Sequence, residues 1–98
     1  MATVNIAFCK VSDFSGTAVA NSENIIGESL TSSGSSQQSV GIATVSHRVV
    51  RVSTSGNNIW INIGPNPTAA AGTKILLIDG NTEYYAVNIG DKVAVINA

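Results

Sequence analysis

One histidine and one cysteine are the side chains of this sequence best suited to nucleophilic catalysis. Such chemistry needs a serine or cysteine held beside a base, most often histidine. The single histidine, His47, precedes Arg48, and no carboxylate stands close by in the sequence to orient it. The single cysteine, Cys9, precedes Lys10, whose charge could lower the pKa of the thiol, but a cysteine beside an apolar strand is more often buried and inert. We predict no catalytic residue and no enzymatic activity.

The sequence also lacks the residue patterns of a metal or cofactor site. A structural zinc site takes about four Cys or His ligands, and the chain has two such residues in total. Asp79, Asn81 and Glu83 alternate as in part of a calcium loop, but a strand-like segment follows where further ligands are needed. Gly64–Pro67 lacks the Lys-Ser/Thr ending of a phosphate loop. We expect no metal and no cofactor.

The charge content is low for a chain that stays in solution alone. Charged residues make up 11% of the 98 residues, the net charge is -1 and hydrophobic residues make up 44%. A globular chain usually contains about 25% charged residues, so partners are expected to cover part of the surface of this one. The basic residues are spread along the chain and form no patch for nucleic acid. They are Lys10, Arg48, Arg51, Lys74 and Lys92.

Membrane insertion and export are not expected either. No apolar run reaches the roughly 20 residues of a membrane span, and the start of the chain lacks the basic and cleavage regions of a signal peptide. We therefore expect synthesis in a cytoplasm and no contact with a membrane.

The elements that position these residues are predicted to be strands. Apolar residues alternate with polar ones, which is typical of half-buried antiparallel strands. The alternating sets are Val4/Ile6/Phe8, Val50/Val52, Ile59/Ile61/Ile63, Tyr85/Val87/Ile89 and Val93/Val95. With turn residues every 8–12 positions, they predict one all-β domain over residues 1–98. The expected architecture is a compact antiparallel β-sandwich or jelly-roll-like barrel of about seven or eight short strands.

Three turn signals predict hairpins. Ser55–Asn58 should join strands Arg48–Thr54 and Ile59–Gly64, because Gly and Asn tolerate the positive φ of tight turns. Asp79–Asn81 should join Lys74–Ile78 to Glu83–Asn88, and Gly90-Asp91 should form a third turn.

The middle of the chain is less regular. Thr31–Ser39 is small and polar, which predicts a flexible Ser-rich loop or, alternatively, an arm that orders against a neighbouring subunit. Val40–Val45 is predicted to form a strand, and Asn24–Leu30 either a strand or one helical turn.

Three aromatic residues are candidates for an interface: Trp60, Tyr84 and Phe14. Trp60 lies opposite in phase to Ile59 and Ile61, and Tyr84 opposite to Tyr85. Each therefore belongs either to a second buried face or to a contact surface, where Trp and Tyr are enriched.

The C-terminal half resembles a family of small virion proteins of tailed bacteriophages. The stretch INIGPNPTA, followed by a short apolar strand and then EYYAVNIGDKVAVI, carries the resemblance, which covers Val49–Ile96. Asp79–Asn81 departs from the Pro-Ala-Gly type of turn that the family has there. The resemblance implies a capsid decoration (cement) protein on the virion surface that binds the major capsid protein across capsomers and forms a homotrimer or homodimer.

Two other functions remain open. A tail, neck or fibre-associated structural subunit would have the same composition. A small carbohydrate- or ligand-binding β-sandwich would use Trp60 or Tyr84 as a stacking platform for the ligand.

Overall fold

A computed structural model of the chain describes the backbone of residues 1–14 and 17–98, and the side chains of residues 1–11 and 25–98. This part of the chain forms eight β-strands and no helix. The strands are β1 (Thr3–Phe14), β2 (Thr17–Thr31), β3 (Gln37–Gln38), β4 (Val49–Ser55), β5 (Ile59–Gly64), β6 (Ile75–Leu77), β7 (Thr82–Ala86) and β8 (Lys92–Asn97).

The strands form two four-stranded sheets, and every pairing is antiparallel. The first sheet has the order β2-β1-β4-β7 and the second β3-β8-β5-β6. One apolar face of each sheet packs against the other, as in a sandwich. The all-β prediction is therefore confirmed.

The core lies between the two sheets, and most of the residues predicted from the alternation fill it; Ile89, which lies beyond the end of β7 and is 60% exposed, does not. Val4, Ile6 and Phe8 of β1 are fully buried, and so are Ile59 and Ile61 of β5. The same layer contains Val50, Val52, Val93 and Val95, together with Ala2, Ala43, Leu77 and Val87. Burying a side chain of this size contributes roughly 1.5–3 kcal/mol, so these rows supply most of the driving force for folding.

The predicted turns exist, but the hairpins do not. Ser55–Asn58, Asp79–Asn81 and Gly90-Asp91 each lead from one sheet to the other, because they connect β4 to β5, β6 to β7 and β7 to β8. The positive φ angles of Gly56, Gly80 and Gly90 agree with the turn chemistry. Alternation alone could not separate the two outcomes, since two facing strands of a sandwich and two paired strands of one sheet both place alternate residues in the core.

Two of these turns bind each other at one end of the sandwich. The carboxylate of Asp79 accepts a hydrogen bond from the Gly56 amide at 2.8 Å, and Asn58 Oδ1 accepts one from the Asp79 amide at 2.8 Å. The amide of Gly80 also donates to the carbonyl of Thr54 at 2.9 Å. The two turns are therefore hydrogen-bonded to each other; after them, β5 continues in the second sheet and β7 in the first.

The Ser-rich segment is more structured than predicted. Thr31 ends β2, and Gln37–Gln38 form β3, which pairs with β8. Ser39 is buried and accepts a hydrogen bond from the Val93 amide at 3.0 Å. The prediction that all of Thr31–Ser39 is a flexible loop is therefore wrong in part, because backbone and hydroxyl groups of the segment form hydrogen bonds with β8.

The strand predicted at Val40–Val45 is wrong, and the segment Asn24–Leu30 is a strand within β2. The carboxylate of Glu28 accepts hydrogen bonds from the amides of Val40 at 3.1 Å and Gly41 at 2.7 Å. Because a side chain and not a neighbouring strand satisfies these amides, the backbone here follows no ladder. A turn at Thr44–His47 follows, closed by an isolated bridge.

Ser32 joins the residues near the two ends of the chain. Its Oγ accepts a hydrogen bond from the Ala2 amide at 2.7 Å and donates one to Asn97 Oδ1 at 2.5 Å. Its amide donates to the Ala2 carbonyl at 2.9 Å. Ser32 is fully buried, so these bonds replace hydration that the hydroxyl has lost.

The neighbour order of the strands is that of a jelly roll, with β1 in the place of the last strand. If the chain is read from β2 to β8 and then to β1, the first sheet contains the first, last, third and sixth strands in that order. The second sheet then contains the second, seventh, fourth and fifth. This is the neighbour order of a two-sheet jelly roll. Ser32 links Ala2, next to β1, with Asn97 of β8, so β1 begins close to the end of β8.

All four sheet edges carry protection against pairing with another chain. Glu28 of β2 pairs with buried Ile6, and Glu83 of β7 pairs with buried Val52, so each edge strand of the first sheet places a carboxylate on the core side. The edges of the second sheet, β3 and β6, have only two and three residues. Inward charges and short edge strands both disfavour strand addition.

Replacing Ser32 by alanine should destabilise the domain. The substitution leaves the Ala2 amide without its partner in a buried position, which costs about 1–3 kcal/mol in the free energy of unfolding. For a domain of this size the melting temperature should fall by roughly 4–20 °C. Thermal and urea denaturation of the Ser32→Ala variant measure both.

Ser35→Ala is the matched control, because Ser35 is exposed and lies in the same segment. Its stability should stay within about 0.5 kcal/mol of the original. Equal losses in the two variants would contradict the role given to Ser32.

Candidate functional site

His47 closes a turn of the structure. Its side chain is nearly buried, and its Nδ1 lies 2.7 Å from Thr44 Oγ1. Its amide donates to the Thr44 carbonyl at 3.0 Å. These contacts hold the turn that precedes β4.

Cys9 is a buried thiol in β1. It pairs with Val49 and is 2% exposed. Burial raises the pKa of the Cys9 thiol, and the positive charge of Arg51 opposes this only in part. The cation that acts on the thiol is thus on β4 and is not the adjacent Lys10 of the sequence prediction. A protonated thiol away from solvent is a poor nucleophile.

The carboxylates that resemble part of a calcium loop serve other partners. Asp79 binds the Gly56 amide in the corner described above. Glu83 Oε2 accepts a hydrogen bond from the Tyr85 hydroxyl at 2.5 Å. Burial, this hydrogen bond and the charge of Glu83 raise the pKa of Tyr85 far above its ordinary value. Among the described residues, no three His, Cys, Asp or Glu side chains form a group that could hold a metal ion.

The three aromatic interface candidates lie on different parts of the molecule. Trp60 is on the outer face of the second sheet, and Tyr84 is on the outer face of the first, where it pairs with Arg51 and is 55% exposed. The backbone of Phe14 ends β1, and its side chain lies outside the described part of the chain. The structure therefore does not bring Trp60 and Tyr84 into one site.

Trp60 belongs to an apolar row on the second sheet. In the register of the strands it lies opposite Leu76 of β6 and Ile96 of β8. Ile78, two residues beyond Leu76, extends the row. We call Trp60, Leu76, Ile78 and Ile96 the outer apolar row. Leu76 and Ile78 are 40% and 45% exposed, and Trp60 and Ile96 are half-buried.

A hairpin arm, formed by β1 and β2, projects from the first sheet. β4 pairs with β1 only as far as Cys9, whereas β1 and β2 continue to pair from Lys10 and Asn21 to Phe14 and Thr17. At about 3.3 Å per residue these five pairs extend roughly 16 Å beyond the end of β4. We call residues 10–14 and 17–21 the arm. Sequence reasoning missed it, although the two residues between these strands are a spacing typical of a hairpin.

Exposed apolar side chains gather at the base of the arm. Val40, Val45 and Ile89 are 86%, 74% and 60% exposed, and Ile42 is also exposed. Two backbone hydrogen bonds of Ala43, to Gly90 and Asp91, hold the two loops that carry them side by side. We call Val40, Ile42, Val45 and Ile89 the arm-base surface. Aliphatic side chains this exposed favour contact with a partner over a permanently hydrated surface.

A shallow pocket adjoins the arm-base surface and adds positive charge. It has a volume of about 320 Å³ and is lined by Lys10, Val11, Val45, Ser46, Arg48 and Val49. Arg48 Nε donates to the Val87 carbonyl at 3.2 Å, which holds the guanidinium at the pocket. Apolar walls with two cations can receive an acidic side chain flanked by apolar residues.

Comparison with known proteins gives no relative: no family model, no curated protein and no solved structure matches the chain. Within the described ranges, no helix is long and apolar enough to cross a membrane.

The thiol of Cys9 should react slowly in the folded protein. Because burial protects it and favours its protonated form, labelling by a disulfide reagent at neutral pH should be on the order of a hundredfold or more slower than in denaturant. The rate of thiolate release is followed by absorbance.

A Cys9→Ser, Ser35→Cys double variant provides an exposed thiol as the control. This thiol should react equally fast with and without denaturant. Native Cys9 that reacts as fast as this control would contradict the burial described here.

Proposed function

We propose that the chain is a structural virion protein of a tailed bacteriophage, of the capsid decoration type. In this role it binds the major capsid protein across capsomers and stabilises the shell without a catalytic step. The arm-base surface, with the arm beside it, is the observation that carries the proposal.

The arm-base surface suits docking on a preformed partner. Its exposed valines and isoleucines would leave water on contact, at roughly 25 cal/mol for each Å² buried. Lys10 and Arg48 line the adjoining pocket, so a partner with acidic groups at its rim would be steered to this end. The arm extends the reach of the same end across a boundary between two neighbouring subunits.

The rest of the domain suits a rigid element of a large assembly. The protected edges disfavour strand addition and hence uncontrolled polymerisation. Jelly rolls also occur in viral capsid proteins, an analogy at the level of fold that fits the proposal but does not carry it. The resemblance of residues 49–96 to virion proteins points the same way. The proposed location is the capsid surface, after synthesis in the host cytoplasm.

The other structural role rests on the same surface. A tail, neck or fibre-associated subunit could also dock through the arm-base surface, and it differs from a decoration protein in its copy number in each particle.

A ligand-binding role has one observation in its favour. Tyr84 is exposed on a polar sheet face beside Arg51, which in turn donates to Asn5 Oδ1 at 3.2 Å. An aromatic ring among polar groups can stack on a sugar. Trp60 does not share this setting, because its neighbours across the strands are Leu76 and Ile96.

The copy number of the protein in purified particles tests the proposed role. A decoration protein covers a lattice with many equivalent sites, so quantitative mass spectrometry should find on the order of hundreds of copies in each particle. A dozen copies or fewer would favour a neck or tail role, and absence from particles would overturn the proposal.

A substitution on the arm-base surface tests the docking itself. Val45→Asp places a charge in the contact and should lower binding to capsids that lack the protein by at least about tenfold in cosedimentation. Thr82→Asp is the matched control, since Thr82 is exposed on the outer face of the first sheet. Equal binding by both variants would exclude the arm-base surface.

A further inference from the structure

We infer that the outer apolar row is the contact for a second copy of this chain, arranged about a two-fold axis. This contact is separate from the arm-base surface and does not depend on a virion role.

The chain covers one part of the outer face of the second sheet and leaves Leu76 and Ile78 of the row exposed. The loop after β5 lies over the part near Asn62, whose side-chain amide donates to the Thr68 carbonyl at 3.2 Å. Gln38 donates to the Pro67 carbonyl at 3.0 Å, and Pro67 and Ala69 are buried. The cover does not reach Leu76 and Ile78, which remain exposed. Leu76 and Ile78 therefore form the apolar part of this face that the chain itself leaves exposed.

The charges identify a second copy as the occupant. The outer apolar row contains no charged residue, so two copies of it can meet without placing like charges together. Lys74 precedes β6 and Asp79 follows Ile78, so opposite charges flank the row at its two ends. If a two-fold axis runs perpendicular to β6, the β6 strands of the two copies are antiparallel, and Lys74 of each copy lies near Asp79 of the other. Two copies of the arm-base surface could not meet in this way, because Lys10 and Arg48 of one copy would lie near the same cations of the other.

The geometry of the sheet edges supports face-to-face contact and not a continuous sheet. An intermolecular strand beside β2 or β7 would meet the inward carboxylates of Glu28 or Glu83. β6 and β3 are too short to template a stable intermolecular ladder. Contact through the outer apolar row uses neither edge.

The area of the face predicts a weak dimer. Three strands about 4.8 Å apart, over the roughly 13 Å from Ile75 to Ile78, give an open face of roughly 200 Å², hence about 400 Å² for the pair. Stable complexes bury about 1,200–2,000 Å², so the dimer should be weak and concentration-dependent, with a Kd of about 1 mM. Copies held close together on a surface would experience a local concentration of this order.

Sedimentation equilibrium of the protein alone tests the inference. Between about 10 µM and about 2 mM the mean mass should rise from that of one chain towards that of two. Leu76→Glu places two carboxylates in the contact and should weaken the dimer at least tenfold. Lys74→Glu, at an exposed position outside the row, removes the flanking attraction and should weaken it severalfold.

Thr82→Glu is the matched control on the opposite face and should leave the Kd unchanged. Circular dichroism checks that each variant is folded, and Lys74→Glu keeps the test decisive if Leu76→Glu does not fold. A chain that is monomeric at about 2 mM would overturn the inference. So would a dimer that Leu76→Glu and Lys74→Glu both leave intact, or one that only Thr82→Glu disrupts. None of these results bears on the binding to capsids, which is measured separately.

Discussion

The apolar layer between the two sheets is the constraint on which the rest of the structure depends. A small domain with few charges has one main source of stability, the packing of alternate residues from facing strands, and Phe8 is the only aromatic residue among the fully buried side chains of the described residues. To supply both faces of this layer, the chain passes repeatedly from one sheet to the other. Each passage leaves backbone groups at the ends of the sandwich that need partners. Ser32, Asp79 and Glu28 supply them, so the polar residues of the corners serve the same layer.

The sequence predicts the strands better than their connections, and the reason is physical. Alternation reports that a strand has one buried face, as it does for Val4 to Phe8, and positive-φ residues such as Gly56 report that the chain turns. Neither reports whether the next strand pairs with the last or faces it across the core. The strand prediction for the segment after Ser39 was wrong for a different reason. Its apolar residues looked like a strand, but the carboxylate of Glu28, from a distant element, satisfies the amides that a ladder would have used.

The candidate surfaces were harder to predict than the fold. Trp60 was rightly placed opposite in phase to the core residues of its strand, yet its neighbours Leu76 and Ile96 come from strands whose order the sequence does not reveal. The arm-base surface depends on two loops that meet through Ala43, and no local pattern marks that meeting. In the proposed roles, the two surfaces are separate contacts, one for a shell and one for a second copy. The protected edges direct both contacts away from strand addition.

Hydrogen–deuterium exchange on the free protein and on the protein bound in particles tests most directly the proposed contact with a shell. Docking through the arm-base surface predicts slower exchange in the bound form for the amides of residues 40–46 and 88–90, with little change in the edge strand β7, Thr82–Ala86. Slower exchange confined to β7 would contradict the account, because it would mean that the domain binds by adding a strand to the sheet edge that Glu83 protects.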